Sequence, residues 1–208
     1  TLAALATLHR SIERDASLAG VCHEAMHRIG HRALREFGGI AEAYAKGNFD
    51  CGNGYYHGVI EAYAALHESA LVTDNGVRSL CEGFASSSRE AENCVHGEGH
   101  ALFSQRSGSL PSALRSCATF ASDRFVAECA AGAFMEAALS RLTLAESSDP
   151  LRNPTLVCAS MPGDQYPCYL ALAALVEGRS AEKGASSTSY CELLRDDAYR
   201  ASCTHPER

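Results

Sequence analysis

The chain has 208 residues, 46% hydrophobic and 21% charged, with 10 Cys, 9 His, no Trp and a formal net charge of −7. That length suits one domain or two very small ones with a real core, and the ordinary apolar fraction excludes disorder over most of it. The 18 basic residues are scattered and form no polybasic run, which argues against a nucleic-acid surface, because neutralising phosphates takes clustered Lys and Arg.

Taken in chain order, apolar residues recur at helical spacing. Leu2, Leu5, Leu8 and Ile12 predict a first helix; Met26, Ile29, Ala33, Leu34 and Phe37 a second; Val59, Ile60, Tyr63 and Leu66 a third. Turn signals separate such runs at Gly38-Gly39, Gly47-Asn48, Gly52-Asn53-Gly54, Asp74-Asn75-Gly76, Gly108 with Pro111, Asp149-Pro150, Pro162-Gly163 and Gly184. No segment alternates with period two. The apolar stretch from Gln165 to Val176 is shorter than the roughly 20 residues of a spanning helix, so no membrane span is expected. Thr1 stands where a Met would begin, which predicts a mature or trimmed form.

No two cysteines lie within four positions of each other, so the Cys-x-x-Cys pairs of zinc ribbons and thiol redox sites are missing. An even, spread-out set reads as disulfides in an oxidising compartment, which predicts a secreted, periplasmic or exposed extracytoplasmic protein. After residue 80 the cysteines fall into recurring pairs: Cys81 with Cys94, Cys117 with Cys129, Cys158 with Cys168, and Cys191 with Cys203. Cys22 and Cys51 are left for each other. Each pair brackets the joint between two helical runs, and Cys94-Val-His-Gly97 is echoed by Cys129-Ala-Ala-Gly132. The predicted fold is all-α: antiparallel helical hairpins stacked as a small disulfide-stapled α-solenoid or helical array. It forms one repeat domain over 1–208, with a His-rich half over 1–108 and scaffold repeats over 109–208.

Seven of the nine histidines lie between residues 23 and 100. His27 and His31, His57 and Glu61, and His96 and His100 are each spaced i,i+4, so each pair points one way from its helix. His23 adds a further imidazole one turn before His27. Glycine stands beside each pair, where a missing Cβ lets helices approach closely. Five imidazoles and Glu61, with His23 beside them, predict a site for one or two transition-metal ions, zinc, copper or iron. Helical bundles build dinuclear iron sites from His and Glu, but with more carboxylates than this, which tilts the expectation to zinc or copper.

His23-Glu24-Ala25-Met26-His27, followed by Gly30, resembles the His-Glu-x-x-His helix of zinc metallopeptidases. That resemblance implies zinc on His23 and His27 with Glu24 polarising a water. It covers nine residues. Residue 33 is Ala where a metzincin would carry its third His, and Glu61 is the candidate for the downstream Glu of a gluzincin. The dipeptides His23-Glu24 and His67-Glu68 are similar in design, without a family match, to those of helical-repeat iron hydroxylases of the deoxyhypusine hydroxylase type.

Glu24, Glu98 and Tyr56 are the candidate catalytic groups. The leading expectation is a metal-binding protein, with a metal-dependent oxidase or hydrolase as its catalytic form. A non-catalytic metal-binding or helical-repeat interaction module, and the zinc peptidase, are the alternatives. Possible partners are a small-molecule or peptide substrate, or another protein.

Overall fold

The computed structural model describes residues 1–14, 19–67, 69, 71 and 73–139. The pairs Cys158/Cys168 and Cys191/Cys203, the apolar stretch from 165, the turn signals from 149 onward and Glu68 lie outside the described residues. The fold is all-α, as the periodicity predicts. Eight α-helices and no strand occur among the described residues: α1 (Leu2–Arg14), α2 (Ala19–Phe37), α3 (Ile40–Tyr44), α4 (Gly54–Leu66), α5 (Asp74–Ser79), α6 (Arg89–Gln105), α7 (Leu110–Cys117) and α8 (Asp123–Leu139). None is long and apolar enough to cross a membrane. The chain divides into two compact units, Thr1–Ala101 and Leu102–Arg208.

In the first unit, α2 is amphipathic. Cys22, Met26, His27, Gly30, Ala33 and Leu34 are buried, while Glu24, Arg28, Arg32, Arg35 and Glu36 face water. That stripe seats on α4, which is buried nearly all round, from Gly54 to Ile60 and at Ala62 and Ala64. The two helices touch backbone to backbone. A Cβ on Gly30 would collide with the Tyr55 carbonyl, and one on Gly58 would collide with the His27 carbonyl. Gly97 brings α6 as near: its Cβ would lie 2.9 Å from the Ile60 Cβ and 3.2 Å from the His57 Cα. The glycines beside the histidine pairs thus hold three helices within side-chain reach of one another. Tyr55 anchors α3 beneath them by donating to the Ala43 carbonyl at 2.7 Å.

Three disulfides join the described cysteines: Cys22–Cys51, Cys81–Cys94 and Cys117–Cys129, with Cα–Cα separations of 5.6, 5.8 and 5.5 Å. All three are the pairs that the spacing predicts. The second cysteine of a pair does not open its helix as expected. Cys94 and Cys129 lie more than a turn inside α6 and α8, where a bridge can tie the middle of a packed face rather than a fraying end. Asp74-Asn75-Gly76 is likewise a helix start and no mere turn, because the Thr73 hydroxyl accepts from the Gly76 amide at 3.1 Å and caps α5. In α1, Leu5 of the predicted stripe is buried, Leu8 half-buried and Leu2 exposed.

In the second unit, α7 and α8 form a stapled pair. Leu110, Ala113, Leu114, Cys117, Cys129, Ala130, Ala133 and Phe134 make its apolar interior. Pro111 stands in the first turn of α7, where its missing N–H costs nothing.

Candidate metal centre

Three helices contribute imidazoles to one cluster in the first unit: His23 and His27 from α2, His57 from α4, His100 from α6. One ring nitrogen from each lies within 4.8 Å of the others. A tetrahedral ion with metal–nitrogen bonds of about 2.0–2.1 Å would space its ligands roughly 3.3–3.4 Å apart, so the four rings are close to the size of such a shell. His27, His57 and His100 are buried and His23 is partly so.

The acceptors around the rings settle which nitrogens face inward. His23 Nδ1 donates to the Cys51 carbonyl at 2.8 Å. His27 Nδ1 donates to the Glu61 carboxylate, with its oxygens at 2.9 and 3.1 Å. A carbonyl and an ionised carboxylate can only accept, so both Nδ1 atoms carry the hydrogen. The two Nε2 atoms then face each other, 2.9 Å apart, as lone pairs. Two bare acceptors at that distance repel unless a cation lies between them. Protonating His23 is a poor remedy: burial, and then the neighbouring His27, lower the His23 pKa to about 4. Burial holds the His57 pKa well below its usual value too, and its Nδ1 has no hydrogen-bond partner. The group can therefore hold a metal ion in the manner of neutral imidazoles.

Glu61 lies against the backs of these rings. Besides His27 it accepts from His31 Nε2 at 2.8 Å and lies 3.5 Å from His100 Nδ1. Burial pushes its pKa up, but the His27 and His31 hydrogen bonds together outweigh burial and hold it below the usual carboxylate value. Carboxylate behind histidine is the usual arrangement for orienting a metal-binding ring. His31 itself is 40% exposed at the outer edge. His96 stacks on His57, centroids 4.4 Å apart, and lies 5.3 Å from His100.

The three candidate catalytic groups are not brought into this cluster. Glu24 is exposed and pairs with Arg28 at 3.3 Å, one turn along α2. Tyr56 packs its ring among Tyr44, Phe49 and Tyr55. Glu98 is fully buried, with one oxygen 3.3 Å from Cys81 Sγ and the other without a hydrogen-bond partner. A disulfide sulfur has no hydrogen, so that contact is a hydrogen bond only when Glu98 keeps its proton and donates. Burial raises its pKa in agreement. His67 lies away from the cluster against Tyr63, at 4.3 Å. The Cys51 carbonyl is the feature that residue types could not reveal, since backbone acceptors leave no mark in a sequence.

Compared with protein-family models, curated proteins and solved structures, the chain matches none.

Proposed function

We propose that this chain is a metal-binding protein of an oxidising compartment, holding one zinc or copper ion on His23, His27, His57 and His100. The carrying observation is the pair of Nε2 atoms 2.9 Å apart, each ring having its proton engaged on the far side. Four imidazoles fill a tetrahedral shell and leave no open position for a water or substrate, which favours holding an ion over an oxidase or hydrolase reaction. Iron ranks below zinc and copper because carboxylate enters this set only from behind the rings. Three disulfides support the extracytoplasmic assignment.

When bound, the ion supplies the positive charge that the facing lone pairs lack. The chain's own residues do the rest: Glu61 and the Cys51 carbonyl hold the ring protons outward, and the buried α2, α4 and α6 faces exclude water. The exposed Glu24 on Arg28 supports no peptidase reading. Titration of the full chain with Zn2+ or Cu2+ against a competing chromophoric chelator tests the proposal. It predicts one equivalent bound by wild type and none by His57→Ala or His100→Ala. Equal binding in all three would overturn it.

A further inference from the structure

Cys22 and His23 are neighbours in α2, and the disulfide from Cys22 ends at Cys51, whose carbonyl accepts from His23 Nδ1. The segment making that contact is unusual. Cys51, Gly52 and Asn53 have φ of 54°, 61° and 65°, three successive residues in the left-handed region, which Gly and Asn adopt readily but in which Cys51 is strained. Asn53 also makes no side-chain cap for α4. Backbone bonds shape the turn, Asn53 N–H to the Asp50 carbonyl at 3.2 Å and Gly54 N–H to the Cys51 carbonyl, and the bridge ties its left-handed Cys51 to α2. The segment is also seated on the histidines: a Cβ on Gly52 would lie 3.3 Å from His23 Nδ1, and one on Gly54 would lie 3.1 Å from His27 Cδ2.

We infer that the Cys22–Cys51 bridge is a positioning element of the metal site and ties metal affinity to the thiol redox state. The inference rests on the metal reading above. With the bridge intact, the Cys51 carbonyl fixes His23 with its hydrogen on Nδ1 and its lone pair on Nε2. With it broken, the left-handed segment relaxes, His23 loses its outer acceptor, and its ring is free to turn. Among the described bridges this is the one with a member that is not fully buried, Cys51; Cys81, Cys94, Cys117 and Cys129 are all interior. A dithiol can therefore open it selectively. One thiolate attacks the Cys51 sulfur and Cys22 leaves as a thiolate that takes up a proton. The second thiol then displaces Cys51, which leaves with a proton as the dithiol closes to its own disulfide.

The test uses the full chain with Zn2+ as probe. Serine replaces sulfur so that no new thiolate ligand is made. Cys22→Ser/Cys51→Ser is expected to lower affinity about 10–100-fold, the usual effect of losing a partner behind a ligand, while Cys117→Ser/Cys129→Ser leaves it unchanged. Gly52→Ala, which keeps the bridge but displaces the carbonyl, is expected to weaken binding too, and decides the matter if the double variant does not fold. In the metal-free protein, imidazole 15N shifts should report the Nδ1–H form of His23 in wild type and its loss in the double Ser variant, with His27 unchanged on Glu61. Wild-type affinity and an unchanged His23 signal in folded Cys22→Ser/Cys51→Ser, or in Gly52→Ala, would overturn the inference and leave the metal reading standing. No Zn2+ on the oxidised wild type would overturn both.

Discussion

Helices α6 and α8 share a frame and differ in what they carry. In register, Cys94-Val95-His96-Gly97-Glu98-Gly99-His100 matches Cys129-Ala130-Ala131-Gly132-Ala133-Phe134-Met135. Each has its cysteine in a disulfide to the preceding helix or turn, and Glu98 and Ala133 are both fully buried at the same position. The second helix makes its pair from apolar and small residues alone. The stapled pair therefore does not require the histidines or the buried carboxyl, and α6 carries them at a cost. An orphaned buried polar atom such as Glu98 Oε2 costs about 1–3 kcal/mol. Residues that a frame does not need and that weaken it are where function is to be sought.

A triple variant tests that separation outright. His27→Ala/His57→Ala/His100→Ala should abolish stoichiometric metal binding while circular dichroism shows the helix content retained. Loss of the helices with the metal would mean that the histidines are part of the frame. Next, Cys117→Ala/Cys129→Ala should cost about 2–4 kcal/mol of stability for a bridge closing a loop of this length, read from urea melts, with metal affinity unchanged.

Smaller effects follow from the two kinds of buried ionisable group, which respond to pH with opposite signs. Glu98 has its pKa raised by burial, so its contribution is whole below the unfolded value near 4.5 and is lost as pH rises. Replacing the buried carboxyl by an apolar side chain of similar length, Glu98→Met, should thus stabilise the metal-free protein by about 1–3 kcal/mol near pH 7, with the gain shrinking towards pH 4. A gain independent of pH would contradict a buried protonated carboxyl. His23 and His57 have lowered values, so their contribution is whole above the unfolded value near 6.5 and is lost as pH falls, through about 4 for His23. Melts of the metal-free protein should show that acid limb, and His23→Gln should flatten it.

Much of this was legible beforehand, for a physical reason: the frame is made by side-chain types with strong local preferences. Apolar stripes at 3.6-residue spacing place α1, α2 and α4, and the recurrent cysteines anticipate the three described bridges. Glycine beside each histidine pair anticipates the close approach at Gly30, Gly58 and Gly97. The site was harder, because i,i+4 spacing says which residues share a face but not which side of a ring meets which atom. Glu61 shares a face with His57 yet meets His27 and His31 from behind. Glu24 lies next to His23 in the chain, but one residue turns the side chain by about 100° around a helix and out to Arg28. Gly52-Asn53-Gly54 reads as a turn; that the Cys51 carbonyl just before it faces His23 depends on backbone angles that only the folded chain has.

X-ray absorption at the metal edge, with elemental analysis, on protein purified without chelators or nickel resin tests the four-imidazole site most directly. That site predicts one zinc or copper ion per chain with four nitrogen neighbours at about 2.0–2.1 Å and no sulfur. Metal-free protein that takes up none on addition, or a shell of sulfur or mainly of oxygen, would contradict it.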